Sequence, residues 1–540
     1  MTALRGVGAM AAGTVASRTT GFLRTAVLVA VLGVQGVPLA FTVANTAPNI
    51  VYELLLGGIL TSTVVPLLVR AEKDGYGEAY AQRLLTLAVL VLGATAVVLV
   101  VLAPQIADLY LSDDVDADTR ALTITFARFF LPQVLFYGVG ALLGAWLNTR
   151  GRFGPPMWAP VLNNVVVIGA LVVFALLPGP DDLTSGSITD QQVAVLGIGV
   201  TLGIVAQTLA LLPALRATGL RLVPRLDLRG TGLGQAGRLA RWTFFYVVCN
   251  QLVLLVVVNL ASGAPEDRGY PSYTNAFLLW QLPHAVVAVS VITALLPAMS
   301  RAAHDERLDV LRGQLDRGLR TTIALMVPAA AALVVLGPAL STAVFGHGRT
   351  SVDQARFIGL LLAVFAAGLV AFSAYQLQLR AFYALQDTRT PALVNLAVNV
   401  VTVVVDVLLY VSLPDRWKVL GLAAGQASSY LVGVVVCTTV LARRVPRDPT
   451  GYVLRTATRC LAAVTGPALV ALLVAHLAQQ AFGSATTGSV VAVVAGGLVI
   501  AVGYVAIVRR LRVPEIDGTL APLLRAAQDL RLNGRTRESE

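Results

Sequence analysis

Long apolar segments, each about the length of a membrane helix, follow one another along almost the whole chain. A helix needs about 20 consecutive apolar residues to cross the hydrocarbon core of a bilayer. Fourteen such segments, bounded by charged residues or by Pro and Gly, lie near 6–33, 37–69, 80–103, 121–148, 156–178, 191–215, 240–262, 271–299, 318–345, 355–384, 391–413, 417–442, 456–480 and 487–509. The pattern predicts an all-α polytopic membrane protein with about 14 transmembrane helices.

Composition supports this prediction and narrows the function. Apolar residues make up 56% of the 540 residues and charged residues 13%, and no soluble core hides so much apolar surface. The three cysteines show no CxxC spacing and no two of the four histidines share a metal-ligand spacing, so we expect neither a disulfide framework nor a metal site. P-loop, HExxH and GxSxG motifs are absent from the sequence. We therefore predict a transporter without a bound cofactor rather than an enzyme.

The net charge of +11 is concentrated in alternate loops. Basic loops follow the even-numbered segments, for example Arg216, Arg221 and Arg225 after the sixth, whereas the intervening loops are acidic or neutral. Basic loops of polytopic proteins stay in the cytoplasm. We therefore predict a multi-pass protein of the bacterial cytoplasmic membrane with both termini in the cytoplasm and no cleavable signal peptide. The basic charge indicates contact with anionic membrane lipids, not with nucleic acid.

The chain also resembles itself across a displacement of six segments. VVPLLVRAE contains Pro66 and Arg70, and LLPAMSRAA contains Pro297 and Arg301 at the same spacing. An even displacement gives both halves the same orientation, which predicts two parallel six-helix lobes with a substrate site between them. The predicted domains are an N-terminal lobe at 1–216, a C-terminal lobe at 230–445, a terminal helix pair at 455–510 and a cytoplasmic tail at 511–540.

Two arginines, Arg18 and Arg24, lie inside the first apolar segment. A cation at the centre of a membrane helix costs at least about 2.5–3.5 kcal/mol, so it is retained where it faces a polar interior or an anion. A bend at Gly21 would bring both guanidinium groups toward one cavity, and arginine binds phosphate bidentately. The alternative is that they lie at the membrane interface or pair with an acidic neighbour such as Glu53.

Further polar residues extend this candidate cavity. Pro48 interrupts the second segment beside Asn49 and Glu53, and broken membrane helices with polar residues normally line a cavity. Arg128, in the fourth segment, is a further candidate cation, with the outer membrane interface as the alternative. The predicted site for a phosphorylated lipid head group comprises Arg18, Arg24, Asn49, Glu53 and Arg128.

A second group of polar residues lies on one stripe of the eleventh segment. Asn395, Asn399, Thr402 and Asp406 follow one another at helical spacing, and either Asn250 or Asn259 in the seventh segment is a candidate partner. Such oxygen groups bind Na⁺ or relay a proton, which would couple transport to an ion. Hydrogen bonding between helices is the competing interpretation.

With these residues in view, the chain resembles the MviN/MurJ lipid II flippases of the MOP exporter superfamily. The stretches that carry the resemblance are SRTTGFLR from Ser17 to Arg24, LNTRGRFGPPMWAPVLNN and the LQDTRTP run ending at Pro391. The resemblance implies two six-helix lobes plus a terminal helix pair, and transfer of lipid II, the undecaprenyl-diphosphate-linked precursor of peptidoglycan, from the inner to the outer leaflet by alternating access. It also implies that Arg18 and Arg24 line a cationic cavity for the diphosphate. Coupling to Na⁺, H⁺ or the membrane potential, and cell-wall synthesis proteins as partners, are further expectations.

The chain departs from the pattern of the family it resembles at several positions. Many members continue Pro-Asn with an Arg pair and an acidic-Gly step, where this chain has Tyr52-Glu53 and Gly57-Gly58. Leu278 falls where the family has an arginine, and Leu39 falls on the position of an aspartate. The predicted cavity therefore holds fewer cations than the family pattern implies. Three alternatives follow: a flippase for another polyprenyl-linked saccharide, a cation-coupled multidrug exporter of the same superfamily, and a scaffold for cell-wall synthases that has lost flipping.

Overall fold

The computed structural model is all-helical over the residues that it describes, which are 2–54, 68, 71–72, 75–180, 182–227, 233–265, 268–446, 451–483 and 485–515. Pro66 and Arg70 of the predicted repeat, and most of the predicted tail at 511–540, lie outside these ranges. The described helices divide into two compact units. The two predicted lobes were inferred from the sequence repeat, whereas these units are defined by contacts between helices. The lobes therefore stay a prediction.

The first unit comprises residues 1–272 with two short segments, 347–351 and 414–419. Its helices are α1 (Thr2–Leu32), α2 (Val37–Glu53), α3 (Gly77–Val101), α4 (Ala103–Tyr110), α5 (Ala117–Phe130), α6 (Gln133–Thr149), α7 (Gly154–Leu176), α8 (Asp190–Leu209), α9 (Leu212–Arg216) and α10 (Leu233–Ser262). Helix α1 packs on α7, α2 on α5 and α3 on α6. Phe41 of α2 packs edge-on against Phe126 and Phe130 of α5, at the centre of the apolar core.

The second unit comprises 273–346, 352–413 and 420–540. Its described helices are α11 (Tyr270–Pro283, which begins in the first unit), α12 (Val289–His304), α13 (Leu308–Phe345), α14 (Val352–Ala367), α15 (Leu369–Ala384), α16 (Arg389–Ser412), α17 (Lys418–Leu441), α18 (Tyr452–Phe482) and α19 (Thr486–Arg510). The terminal pair α18 and α19 packs on α13, where small residues such as Ala463 and Ala492 are fully buried. Small side chains let membrane helices approach closely, which explains this tight packing.

Twelve described helices are long and apolar enough to cross a membrane, and the bent pair α14–α15 makes thirteen if it counts as one span. These correspond to thirteen of the fourteen predicted segments. The other, at 37–69, begins with α2 and continues into residues outside the described ranges. The polytopic all-α fold is confirmed, whereas the count of fourteen stays a prediction.

Several of the described spans are interrupted. The fourth predicted span breaks at Pro132 between α5 and α6, and α14 and α15 meet at 47° across Gly368. Gly368 lies against the Ala427 backbone, where an added Cβ would come within 2.7 Å, so no larger residue fits the bend unchanged. A single π-helical turn at His284–Ala288 joins α11 to α12 after Pro283. π-turns and proline breaks interrupt the regular ladder of backbone hydrogen bonds in membrane helices.

Candidate functional site

One face of α1 carries the polar residues of the first span. Ser17, Thr20, Gly21 and Arg24 lie at helical spacing along it. The Asn164 side chain of α7 donates hydrogen bonds to the Ser17 carbonyl at 3.2 Å and the Thr20 hydroxyl at 2.9 Å. Helix α1 continues through Gly21, which lets the Asn164 amide nitrogen come within 3.5 Å of the Cβ position. Gly21 therefore serves as a point of close helix contact, and this face of α1 is fixed against α7.

Arg24, at the end of this face, lies within electrostatic range of Tyr137 of α6. The Tyr137 hydroxyl in turn donates a hydrogen bond to Asn49 Oδ1 of α2 at 3.3 Å. The Tyr52 ring lies 4.7 Å from that of Tyr137, measured between centroids. Helices α1, α2 and α6 thus bring a guanidinium, two phenols and an amide together. We refer to Arg24, Asn49, Tyr52 and Tyr137 as the arginine–tyrosine cluster.

A cavity of about 220 Å³ opens beside the cluster. It is lined by Tyr52, Tyr137, Asn148, Gln207 and Thr208 among other residues of α2, α6, α7 and α8. Hydroxyl and amide groups of this kind donate hydrogen bonds to an oxyanion. The cavity is therefore chemically suited to the oxygens of a phosphate or a sugar.

The charge of Arg24 has no counter-charge in the part of the chain that the structure describes. Arg24 is half-buried and forms no ion pair or hydrogen bond with any described residue. An unpaired charge away from water is unfavourable unless a ligand compensates it. The site is consequently suited to an anion.

The other predicted members of the cavity lie apart from this cluster or at its margin. Arg18 is exposed on α1, and Arg128 is exposed in the last turn of α5. Glu53 is exposed beside Tyr52 at the end of α2. No ion pair joins Glu53 to Arg18 or Arg24 among the described residues. The structure therefore links Arg24 and Asn49 through Tyr137, whereas no described contact connects Arg18, Glu53 or Arg128 with them.

Tyr137 and Asn164 are the residues that sequence reasoning missed. Tyr137 lies in the run FYGVG, whose composition is that of any apolar span, and Asn164 follows a second asparagine in VLNNVV. A polar side chain in the middle of a predicted span was the available sign. Only the packing of α6 against α2, and of α7 against α1, gives these residues a partner.

The polar stripe on α16 lies in the second unit. Thr402 and Asp406 are fully buried and Asn395 nearly so. Thr402 donates its hydroxyl proton to the Val398 carbonyl at 3.0 Å, which leaves it no described bond to another helix. Asn399, half-buried on the same stripe, does have a partner.

Asp406 is the unusual member of this stripe. Neither carboxylate oxygen has a hydrogen-bond partner among the residues that the structure describes. The carboxylate lies directly against Gly425 of α17, where an added Cβ would come 1.9 Å from Oδ1. A buried carboxylate without partners is costly, so the position is suited to binding a cation or a proton.

Asn259, the predicted partner of this stripe, lies in the first unit. Its amide donates a hydrogen bond to the Leu111 carbonyl at 3.1 Å, which ties α10 to the end of α4. Hydrogen bonding between helices was the alternative to ion binding for these polar residues, and Asn259 forms such a bond. No group of three or more His, Cys, Asp or Glu residues suited to a metal ion occurs within the described ranges.

A family model and several relatives match the chain. The model described as lipid II flippase MurJ matches residues 28–494. A probable lipid II flippase MurJ of Rhizobium meliloti is 29% identical over 402 residues, which is 72% of each chain. Lipid II flippase MurJ of Burkholderia cenocepacia is 29% identical over 408 residues, 72% of this chain and 75% of the relative.

Solved structures match the fold. The structure titled lipid II flippase MurJ, inward closed conformation, has a TM-score of 0.74 and 18% identity, and the match covers 93% of this chain and 99% of that one. An inward-facing multidrug resistance MATE transporter of the MOP superfamily has a TM-score of 0.63 and 16% identity, with 78% of this chain covered and 95% of that one. These two likenesses describe the fold alone. Because the family model matches far more than half of the sequence, the chain belongs to the MurJ family of lipid II flippases.

Proposed function

We propose that this chain moves lipid II from the inner to the outer leaflet of the cytoplasmic membrane by alternating access. The observation that carries the proposal is the match of the lipid II flippase family model to residues 28–494. The apolar helices give the multi-pass membrane fold that such transport requires. The proposed orientation places both chain termini in the cytoplasm, on the basis of the basic loops.

In this proposal the arginine–tyrosine cluster contacts the diphosphate of the lipid. The Arg24 guanidinium offers two parallel N–H donors to phosphate oxygens, and such charge-assisted bonds are about twice as strong as neutral ones. The Tyr137 hydroxyl, which donates a hydrogen bond to Asn49 in the structure, is proposed to turn toward the same anion when it binds. Arg18, exposed six residues earlier on α1, is proposed to meet the diphosphate as it enters or leaves.

A flipping assay in cells whose own lipid II flippase has been shut off tests this proposal. The intact chain and the double variant Arg18→Ala, Arg24→Ala are supplied at matched membrane levels, and lipid II on the outer face is measured. If only the intact chain restores lipid II on the outer face, the result supports lipid II as the cargo and the two arginines as part of its binding site. Restoration by both refutes the diphosphate role, and failure of the intact chain in a compatible host refutes lipid II as cargo.

Coupling to an ion is proposed at Asp406. The fully buried carboxylate has no partner in the described chain, so uptake of Na⁺ or H⁺ would remove an uncompensated charge and favour one state of the transport cycle. Thr402, one turn away, and Asn399 supply oxygens on the same stripe of α16. The membrane potential acts on the same charge, because moving one charge across 100 mV is worth about 2.3 kcal/mol.

Flipping in vesicles that carry a defined Na⁺ gradient, a defined pH gradient or neither tests the coupling. We expect one of the two gradients to accelerate flipping by the intact chain and to have no effect on Asp406→Asn. Asp353→Asn is the matched control, because Asp353 is an almost fully exposed aspartate. Equal stimulation of the intact chain and Asp406→Asn would refute the role of Asp406.

A further inference from the structure

The loop after α9 lies along α3 in an arrangement that the transport proposal does not use. Three side chains of α3, spaced one turn apart, form hydrogen bonds with the backbone of this loop. Glu78 accepts a hydrogen bond from the Arg221 N–H at 3.2 Å, Gln82 donates to the Arg221 carbonyl at 2.7 Å, and Thr86 accepts from the Arg225 N–H at 2.9 Å. The segment 220–227 is thereby fixed against α3.

This segment closes an apolar cavity of about 560 Å³ in the first unit. Its walls come from α3, α6, α8 and α9, with Val89, Val139 and Leu209 as examples, and from Leu222 and Leu226 of the loop. The volume lies in the range of sites that bind small ligands. The lining offers almost no hydrogen-bonding group, so the cavity favours a hydrocarbon over water.

The cavity faces the bilayer. Leu226 is 75% exposed and Leu222 57% exposed, and Val89 and Leu209, which lie on spans, are each about half exposed. Exposed apolar residues on a membrane span are in contact with lipid. An acyl chain can therefore enter from the side without crossing a polar barrier.

A cationic group marks the polar end of the cavity. Arg225 donates its Nε–H to Gln82 Oε1 at 2.6 Å, and Gln82 lines the cavity. The two terminal nitrogens of Arg225 and the whole guanidinium of Arg221 have no bonding partner among the described residues. Arg83, by contrast, is paired with Asp227 at 2.9 Å. Two guanidinium groups without a described counter-charge thus lie on the loop that closes an apolar cavity.

We infer that this cavity binds one acyl chain of an anionic phospholipid whose phosphate is held by Arg221 and Arg225. Basic loops next to membrane helices bind anionic head groups. The hydrogen bond from Arg225 to Gln82 orients the guanidinium in advance, so that less entropy is lost when phosphate binds. Phe136 and Thr208 line both this cavity and the one beside the arginine–tyrosine cluster, so a bound lipid would contact the same wall as the transported lipid.

Native mass spectrometry of the purified full-length chain tests the inference. The delipidated chain is titrated with phosphatidylglycerol or phosphatidylcholine of identical acyl chains, and bound lipids are counted. We expect one tightly bound phosphatidylglycerol with at least about tenfold preference over phosphatidylcholine. Arg225→Gln and Arg221→Gln should each reduce the affinity for phosphatidylglycerol by about tenfold. Arg221→Gln removes a side chain without a described bond, so it tests the site even if Arg225→Gln disturbs the loop.

Arg443→Gln is the matched control, because Arg443 is an exposed residue of another basic loop and does not line the cavity. If Arg443→Gln and Arg225→Gln lower the affinity for phosphatidylglycerol equally, the lipid preference comes from general surface charge, and the inference is overturned. Equal affinity of the intact chain for both lipids would also overturn it. Val139→Trp, which fills the cavity, should remove the tightly bound lipid.

Photo-crosslinking with phosphatidylglycerol that carries a diazirine in its acyl chain locates the site. We expect adducts on α3, α6 or the 220–227 segment, and adducts confined to other helices would overturn the inference. The same sample is then challenged with undecaprenyl phosphate at equal concentration. Unchanged crosslinking supports a separate phospholipid site. Displacement of phosphatidylglycerol by undecaprenyl phosphate would show that the cavity holds a polyprenyl chain instead. That result would overturn the assignment of a phospholipid to the cavity, and it would leave the outcome of the flipping assay unaffected.

Discussion

Arg24 and Arg18 differ in their surroundings although they share a helix. Arg24 is half-buried next to Tyr137 and has no described counter-charge, whereas Arg18 is exposed. An electrostatic interaction is stronger where water is excluded. The more buried of the two cations should therefore contribute more to binding the diphosphate.

We therefore predict that Arg24→Ala impairs lipid II flipping more than Arg18→Ala does. Losing charge-assisted bonds worth about 1.5–3 kcal/mol corresponds to a decrease of roughly tenfold to a hundredfold in affinity for the diphosphate. Arg24→Lys should recover only part of the activity, because an ammonium does not reproduce the bidentate fork. Lipid II on the outer face is measured in flippase-depleted cells at matched expression. Equal effects of Arg18→Ala and Arg24→Ala would contradict the distinction.

The second prediction concerns the hydroxyl of Tyr137. Tyr137→Phe keeps the ring packed against Tyr52 but removes the donor to Asn49. A neutral hydrogen bond contributes about 1 kcal/mol, so we expect flipping to fall by no more than roughly fivefold while the chain stays folded. Tyr110→Phe provides a comparison at a buried tyrosine outside the cluster. An effect as large as that of Arg24→Ala would mean that Tyr137 does more than orient the anion.

The start of helix α16 is fixed by a carboxylate in the preceding loop. Asp387 accepts hydrogen bonds from the backbone N–H groups of Arg389 and Thr390, each at 2.9 Å, and forms an ion pair with Arg444. Burial alone would raise the pKa of Asp387, but the hydrogen bonds from Thr390 and Arg444 outweigh it and hold the pKa below its usual value. The Asp387 charge therefore connects α16 with the loop after α17.

A depressed pKa makes the contribution of Asp387 depend on pH. The stabilisation is fully present above the usual pKa of an aspartate, roughly 4, and is lost as the pH falls through the lower pKa of the folded state. We predict that Asp387→Asn lowers the free energy of unfolding by about 1 kcal/mol at pH 7, with the difference from the intact chain disappearing in acid. Thermal unfolding in detergent at several pH values measures this. The exposed Asp353→Asn should show no comparable difference.

The contact between α16 and α17 depends on the absence of a side chain at Gly425. An added Cβ would come 1.9 Å from Asp406 Oδ1, so Gly425→Ala must displace the carboxylate or separate the helices. Overpacking of this kind costs about 1–3 kcal/mol. We predict a lower unfolding temperature and a loss of the ion dependence of flipping. Gly497→Ala on α19 is the control, since its Cβ would meet no atom within 4 Å, and it should be neutral or slightly stabilising. Equal unfolding temperatures for the two variants would contradict the packing argument.

Sequence reasoning recovered the features that depend on local pattern. The all-helical membrane fold, membership of the lipid II flippase family and the transport class followed from apolar segments and from motifs such as SRTTGFLR, and all three are confirmed. The site was recovered only in part. The cation at Arg24 was visible because charge is rare in a span, but the partners Tyr137 and Asn164 depend on which helices pack together. The contact of Asp406 with Gly425 likewise joins residues on different helices, a pairing that spacing along one helix does not encode.

The orientation of the whole chain in the membrane gives the last prediction. Asp182, exposed between α7 and α8, lies in a loop predicted to be outside, and Arg443, exposed after α17, lies in one predicted to be cytoplasmic. Between these sites the described chain contains six long spans and the bent pair α14–α15. The two sites lie on opposite sides only if that pair crosses the membrane as one span.

A charged maleimide added to intact spheroplasts should therefore label Asp182→Cys, and should label Arg443→Cys only after lysis. The native Cys249, Cys437 and Cys460 are buried and should give little background. Labelling of both sites before lysis would make α14–α15 a re-entrant pair and would require one of the two loops to change sides.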